Sequence, residues 1–143
     1  MQEFVSGQPN QQPTEGTSEA MTDKPSQALE TALAYYEAWT SSNLERAMSY
    51  IAEDVVCDAP AGRLEGSEAY RGFMGPFVEI LVEARLIAAF GDEETALVMY
   101  DTKTLPVESA PGAECVTVRD SKIVYSRFIF DRAPFQAARA SAE

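Results

Sequence analysis

The stretch AYYEAWTSSNLERAMSYIAEDVV, residues 34–56, decides the fold. Its first part belongs to an amphipathic helix predicted over residues 25–40, in which apolar side chains recur at helical spacing. A polar break ends this helix, and Asn43 or Ser42 within it suits the N-cap of a second helix. The second helix has the amphipathic stripe Leu44, Ala47, Met48 and Ile51. A short strand is predicted after it, over residues 55–59.

The rest of the chain adds one more helix and then changes to strands. Ser67 is the predicted N-cap of the third helix, and Pro76 inside its apolar pattern predicts a kink or a restart. The turn Pro60-Ala61-Gly62 precedes it. Further on, the hydrophobic period falls to two, which is typical of strands. Strands are predicted over residues 84–90, 95–104, 114–119 and 123–131, and a short terminal helix over 133–142. This order predicts an α+β fold, a curved antiparallel sheet with helices packed on one side.

Composition limits the classes of function. The chain has 143 residues, a length typical of one domain, and 45% of them are hydrophobic. Its 11 basic and 23 acidic residues leave a net charge of −12, which argues against nucleic acid and against anionic membrane surfaces. No apolar run approaches the roughly 18 residues of a membrane span. The absence of histidine excludes a histidine-based triad, a histidine-ligated metal and an imidazole base.

The two ends of the chain differ in character. Residues 1–24 are polar and lack periodicity, so we expect a disordered tail before a single domain over 25–143. The N-terminus does not read as a signal peptide, which favours a cytoplasmic protein. Cys57 and Cys115 lack CxxC spacing and are predicted as buried, reduced thiols. We expect no metal and no cofactor.

The segments Ala34–Trp39, Asn43–Met48 and Ile51–Val56, in this element order, resemble the nuclear transport factor 2-like superfamily. That group includes SnoaL-like polyketide cyclases, ketosteroid isomerases and limonene epoxide hydrolases. The resemblance covers residues 26–136 and implies a cone, in which the sheet wraps a long N-terminal helix around an apolar pocket. It also implies a homodimer through the outer face of the sheet, on which the last strand places Tyr125, Arg127 and Ile129.

The resemblance to ketosteroid isomerases carries over unevenly. Tyr35 matches the tyrosine of the first helix. The position of the base falls on Ala59, one residue after Asp58, and the position of the later acid falls on Cys115. A shift of one residue on a strand turns a side chain to the other face.

The resemblance to limonene epoxide hydrolases places Asp101 on one of two required aspartates. Met99 stands at the arginine position, Phe128 at the second aspartate and Cys57 at the tyrosine, so the water-activating set is missing. SnoaL-like cyclases need an acidic residue in the pocket, and Asp101 is the candidate.

Asp101 and Tyr35 are therefore the predicted catalytic residues. By strand alternation Asp101 shares a face with Met99 and Leu97, and a carboxylate among apolar groups is a usable acid or base. Its structural alternative is an ion pair with Lys103 or Arg127, or solvation. Tyr35 is a candidate donor to a developing enolate oxygen, with a packed core aromatic as its alternative.

The predicted function is the binding of a small hydrophobic or polyketide-like molecule in an apolar cone pocket. The protein either only binds this molecule or also catalyses cofactor-free proton transfer of the isomerase or cyclase type. The alternative function is a non-catalytic ligand-binding or dimerisation module. Convergence of Asp101 with Tyr35 or Asp58 on one point favours the enzyme, and divergence favours the module. The predicted substrate-binding residues are Trp39, Asp58, Phe73, Phe77, Met99 and Phe128.

Overall fold

The computed structural model describes residues 26–142, and the predicted tail over residues 1–24 lies outside this range. The α+β fold predicted from the sequence is confirmed. The described elements, in chain order, are α1 (Gln27–Thr40), α2 (Leu44–Met48), β1 (Ile51–Ala59), β2 (Gly62–Glu65), α3 (Ser67–Ile80), β3 (Leu81–Gly91), β4 (Thr95–Thr104), β5 (Gly112–Arg119), β6 (Lys122–Phe130) and α4 (Ala133–Ala142).

The first half departs from the sequence prediction in two places. Asn43 caps α2 as expected, since its side chain accepts a hydrogen bond from the Arg46 amide at 3.1 Å. However, α2 ends at Met48, and Ile51 begins β1 instead of completing the helical stripe. The strand β2 is an addition, because the sequence predicts only a turn between β1 and α3.

The start and the middle of α3 also differ from expectation. Gly66 stands at the N-cap with φ of 93°, a left-handed conformation that favours glycine, and Ser67 is the first helical residue. The predicted N-cap at Ser67 is therefore wrong, and no side chain caps this helix. The restart predicted at Pro76 does not occur, since α3 runs through it as one helix.

The strands form one six-stranded sheet in the order β2-β1-β6-β5-β4-β3. All neighbours are antiparallel except β1 and β6, which run parallel, so the predicted antiparallel sheet is a mixed one. The parallel pair arises because the chain leaves β1 through β2, α3 and three further strands before it returns beside it. Register shifts in the β3–β4 and β5–β6 pairs mark bulges, which bend a sheet. Helix α1 packs across β3, β4, β5 and β6.

The core lies between α1, α3 and the inner face of the sheet. Alternation along β4 buries Val98, Tyr100 and Thr102 and leaves the residues between them facing outward. The Thr102 hydroxyl is satisfied inside because it donates to the Ala110 carbonyl oxygen at 2.7 Å. On β6 the predicted inner face is confirmed for Ser126 and Phe128, which are buried. None of the described helices is long and apolar enough to cross a membrane.

Candidate functional site

A small cavity of about 70 Å³ lies between α1, α3, the inner face of the sheet and α4. Four of the six predicted substrate-binding residues line it, and α4 contributes Phe135 to the wall. Mostly aromatic side chains form this wall. They include Trp39, Phe73, Phe77, Tyr100, Phe128 and Phe135.

The aromatic rings of the wall contact one another. The ring centroid of Trp39 lies 5.2 Å from that of Tyr100, edge to face, and 5.8 Å from that of Phe77. The ring centroids of Phe73 and Phe128 are 5.3 Å apart. Such pairs add to the energy of burial and hold each ring in place. The cavity therefore has a preformed apolar wall.

A carboxyl group lies beside this wall, on the inner face of β5. Gly112 pairs with Tyr100 across the sheet, and Glu114 pairs with Phe128. A Cβ atom at Gly112 would come within 3.2 Å of a Tyr100 ring carbon, so the glycine leaves room for that ring. Glu114 lies two residues further along the same face of β5. It therefore neighbours Gly112 and Phe128, which both line the cavity. It is only 4% exposed.

Two hydroxyl groups donate hydrogen bonds to Glu114, and a third bonds to one of those two. The Ser126 hydroxyl donates to Glu114 Oε2 at 2.7 Å, and the Tyr70 hydroxyl donates to the same oxygen at 3.2 Å. The Tyr35 hydroxyl is hydrogen-bonded to the Tyr70 hydroxyl. Because Tyr70 has one proton to donate and Glu114 accepts it, Tyr35 donates to Tyr70. Among the described residues none donates a hydrogen bond to Oε1, and Glu114 itself lies behind the residues that line the cavity.

Burial sets the protonation of this cluster. Desolvation raises the pKa of Glu114 from its ordinary 4.5 to about 7, although the bonds from Ser126 and Tyr70 lower it in part. No cation among residues 26–142 pairs with it. Burial and the nearby Glu114 charge raise the pKa of Tyr35 and Tyr70 well above 10, so both remain donors. A carboxyl with a pKa close to neutrality can act as an acid and as a base.

The cysteines do not take part in this chemistry. Cys57 pairs with Ser126 across the sheet, and burial together with the Glu114 charge raises the pKa of its thiol to about 12. It is therefore protonated and unreactive near neutral pH. Both cysteines are free, and Cys115 is half-buried. Within the described part of the chain, no group of three His, Cys, Asp or Glu side chains is placed to bind a metal.

The predicted pocket positions of Asp101 and Met99 are wrong. Both lie on the outer face of β4, where Met99 is 45% exposed. Asp101 accepts a hydrogen bond from Arg85 Nη2 at 2.6 Å, so its ion-pair partner is Arg85 on β3. The reason is the pleat of β4: with Tyr100 and Thr102 inside, the residue between them must face outward.

Asp58 is also outside the cavity, contrary to expectation. It lies on the face of β1 opposite to buried Cys57 and pairs with Arg63 at 2.9 Å. The Tyr125 hydroxyl donates to its other oxygen at 2.6 Å. The bond from Arg63 and then that from Tyr125 lower the pKa of Asp58, which keeps it ionised.

The predicted polar residues thus diverge, the outcome that favours the non-catalytic module for that set of residues, but a different set of polar residues converges. Tyr35 bonds to Tyr70 and, through it, to Glu114, and neither of these two was a predicted site residue. The resemblance placed the later acid on Cys115, which follows Glu114 directly. Because side chains alternate between the two faces of a strand, neighbouring residues such as these point to opposite faces of the sheet. A signal was present, since Glu114 alternates with Val116 and Val118, two buried apolar residues on the same strand.

Comparison with known proteins agrees with this architecture. The profile of the SnoaL-like domain matches residues 32–126. A crystal structure of a protein from Kribbella flavida DSM 17836 is 52% identical, covers 82% of this chain and 97% of its own, and superposes with a TM-score of 0.80. No protein of curated function matched the sequence.

Two more distant structures show the same fold. A proposed ketosteroid isomerase from Kribbella flavida is 20% identical over 78% of this chain and 82% of its own, with a TM-score of 0.66. A proposed polyketide cyclase from Xanthomonas campestris pv. campestris is 21% identical over 80% of this chain and 98% of its own, with a TM-score of 0.64. At this identity the likeness concerns the fold alone.

Proposed function

Because the chain belongs to the SnoaL-like domain family of the nuclear transport factor 2-like superfamily, we propose that it binds a small neutral hydrophobic molecule, of polyketide-like character, and moves a proton on it. The binding site is the aromatic cavity, and the proton carrier is Glu114. The observation that supports this most is the position of Glu114, buried without a cation and adjacent to the cavity wall.

The reaction needs no cofactor. Ionised Glu114 takes a proton from the carbon next to a ligand carbonyl, which leaves a carboxylic acid and an enolate. Where a C=C bond adjoins that carbon, the product is a dienolate, and return of the proton to its far carbon moves the double bond and completes an isomerisation with no change in oxidation state. Since the pKa of Glu114 is about 7, both forms of the carboxyl are populated near neutral pH.

Tyr35 and Tyr70 serve this carboxyl as positioning residues. Their hydrogen bonds end on Oε2, and Ser126 donates to the same oxygen. A proton taken from the ligand therefore goes to Oε1. The predicted role of Tyr35 as a direct donor to the ligand gives way to a role exerted through Tyr70, because its hydroxyl is engaged there.

Proton exchange on a simple ketone tests the proposal. A panel of cyclic ketones in D₂O, followed by NMR, reports exchange of the protons next to the carbonyl. Glu114→Gln keeps the shape but cannot accept a proton, so we expect about 100-fold slower exchange or more. Asp101→Asn is the matched control on the outer face and should exchange at the wild-type rate. Equal rates in the wild type and Glu114→Gln would refute a catalytic role for Glu114.

The alternative function is a non-catalytic ligand-binding module. The same cavity supports it, and the engagement of Tyr35 with Tyr70 removes one candidate donor from direct catalysis. Ketones that bind to the cavity without any exchange above the buffer rate would favour this alternative. The two functions therefore separate in one experiment.

A homodimer through the outer face of the sheet is part of the same proposal. This face carries exposed Phe90, Leu97, Met99 and Ile129, and Phe90 is 71% exposed. The strand register makes them neighbours, since Phe90 pairs with Leu97 on β4 and Met99 and Ile129 both pair with Ala113 on β5. An apolar patch of this kind marks an interaction surface, and a second copy of the chain offers the same patch.

Sedimentation of point variants tests the dimer. Ile129→Glu places a charge in the proposed interface and should produce a monomer, because an unpaired buried charge costs about 2–5 kcal/mol. Leu105→Glu, at an exposed loop residue outside the sheet, is the matched control and should leave the dimer intact. A monomeric wild type would remove the proposal.

A further inference from the structure

One buried donor in the cavity wall lacks an acceptor. The Trp39 indole nitrogen Nε1 is buried and has no hydrogen-bond partner among the described residues. The residue as a whole is 1% exposed. More than nine in ten buried polar groups in proteins are hydrogen-bonded, and an unpaired one carries a desolvation penalty. The indole N–H is thus an exception that needs an explanation.

A neighbouring tyrosine brings a second hydroxyl without an acceptor, although Trp39 Nε1 is the one fully buried side-chain atom in the described part of the chain that lacks a partner. Tyr100 is buried, and its hydroxyl makes no hydrogen bond to any residue between 26 and 142. Its ring is in edge contact with the Trp39 ring, and both line the cavity. Burial raises the pKa of Tyr100 well above 10, so the hydroxyl keeps its proton. Two adjacent donors on one wall are therefore without acceptors.

The rest of the described wall offers nothing to satisfy them. The other side chains that line the cavity are apolar, apart from Thr102, whose hydroxyl already donates to the Ala110 carbonyl. The Oε2 oxygen of Glu114 already accepts hydrogen bonds from Tyr70 and Ser126. What this wall lacks is an acceptor between Trp39 and Tyr100.

We propose that the Trp39 N–H and the Tyr100 hydroxyl together bind the oxygen of a neutral carbonyl ligand. The inference rests on the proposed function to the extent that the ligand occupies this cavity. It names the substrate class: a compact apolar body with one acceptor oxygen. A carboxylate ligand is disfavoured, because its desolvation is uncompensated and ionised Glu114 repels it. On deprotonation of the ligand, the same two donors stabilise the enolate oxygen.

The size of the cavity decides the probe. At about 70 Å³ it is roughly half of a 150 Å³ cavity that admits benzene, so a large ring does not fit without movement of the wall. Cyclopentanone and methylenecyclopentane each have six heavy atoms, as benzene has, and nearly the same shape, so both enter only with the same movement of the wall. They differ in a C=O group against a C=CH₂ group, so only the first presents an acceptor.

NMR titration with these two probes tests the proposal on the full chain. Trp39 is the only tryptophan, so its indole N–H gives a single assigned signal. We expect cyclopentanone to shift this signal downfield and to bind about threefold to tenfold tighter than methylenecyclopentane, as one or two neutral hydrogen bonds predict. Methylenecyclopentane should leave the indole proton near its original position.

Two variants assign the effect to the donors. Tyr100→Phe removes one hydroxyl at constant shape, and Trp39→Phe removes the N–H. Each should lower the ratio of cyclopentanone affinity to methylenecyclopentane affinity about threefold or more. Tyr100→Phe should leave methylenecyclopentane binding unchanged, whereas Trp39→Phe also enlarges the cavity and changes the binding of both probes. The hydrocarbon thus controls for altered packing, and Tyr100→Phe keeps the test valid if Trp39→Phe folds poorly.

The outcomes separate the two proposals. Equal affinity for both probes, with an unmoved indole signal, overturns the two-donor site and leaves the ligand-binding cavity in place. Ketone affinity unaffected by both substitutions also overturns it. If neither probe binds the wild type up to its solubility limit, the cavity takes no such ligand and both proposals fall.

Discussion

Glu114 and Asp101 are carboxylates on neighbouring strands of one sheet, but they lie on opposite faces. Glu114 on β5 faces inward, is 4% exposed and is held by two hydroxyl donors. Asp101 on β4 faces outward, with its side chain 33% exposed, and forms an ion pair with Arg85. The same chemical group is thus a candidate proton carrier in one place and a structural ion pair in the other.

The difference follows from what replaces water around each group. Hydroxyl groups stabilise a buried carboxylate only in part, so burial moves the pKa of Glu114 to about 7. Asp101 keeps contact with solvent and pairs with a guanidinium, and solvent screens such a pair. A proton-transfer site in this fold therefore needs a carboxylate on the inner face with no cation beside it.

The largest expected effect concerns stability against pH. The pKa of Glu114 is higher in the folded chain, about 7, than its ordinary 4.5, so the folded state binds more protons between these values. Its contribution is fully present below about pH 4.5 and is lost as the pH rises through about 7. The free energy of unfolding should fall by about 3 kcal/mol over this range. Glu114→Gln should abolish this part of the fall.

Urea unfolding at about pH 5 and about pH 8 measures this effect. Asp101→Asn is the control that keeps Glu114, so it should retain the wild-type difference between the two pH values. If Glu114→Gln retains it as well, Glu114 is not the group that titrates, and the contrast between the two faces loses its physical basis.

Much of the fold was predictable, because periodicity is a local property. The bounds of β4 and α4 agree with the sequence prediction, and two of the predicted substrate-binding residues, Phe73 and Phe77 on α3, line the cavity. The parallel pairing of β1 with β6 was not predicted, since it depends on where the chain returns after five intervening elements. Local patterns specify elements better than they specify partners.

The candidate site was less predictable, because alternation divides a strand into two faces without saying which one is inside. On β4 the outer Leu97 and Met99 are more hydrophobic than the inner Thr102 and Thr104, whose hydroxyls bond to loop carbonyls. Hydrophobicity alone therefore selects the wrong face and places Asp101 in the pocket. On β5 the valines at 116 and 118 mark the inner face correctly, and they place Glu114 on it.

A smaller effect is expected from weakening the inner site without removing its carboxyl. Ser126→Ala deletes one of the two donors to Glu114, and hydrogen bonds to charged groups contribute about 1.5–3 kcal/mol. We expect a loss of about 2 kcal/mol at about pH 8, where Glu114 is ionised, and a smaller loss at about pH 5. The pKa of Glu114 should rise further, because the Ser126 bond lowers it. Carboxyl-carbon NMR titration of Glu114 measures this shift.

Ser126→Thr is the matched control, since it keeps a hydroxyl at the same position. It should leave the pKa of Glu114 closer to the wild-type value than Ser126→Ala does. An unchanged pKa in Ser126→Ala would mean that Tyr70 alone stabilises the carboxylate, and the assignment of Oε2 as the doubly held oxygen would be wrong.

The smallest effect is expected on the outer face, where Arg85→Met removes the cation of the Asp101 pair. Both partners are accessible to solvent, and the Arg85 side chain is mostly exposed. Pairs of this kind contribute about 0–1 kcal/mol, so Arg85→Met should lower the free energy of unfolding by less than about 1 kcal/mol. Raising the salt concentration should reduce even this difference, because ions screen exposed charges, whereas the Glu114 effects should change little.

A double-mutant cycle of Arg85→Met with Asp101→Asn, at low and at high salt, isolates the pair energy. A coupling above about 2 kcal/mol that resists salt would contradict a solvent-exposed pair and would place Arg85 and Asp101 under a covering surface, which on this face is the proposed second copy.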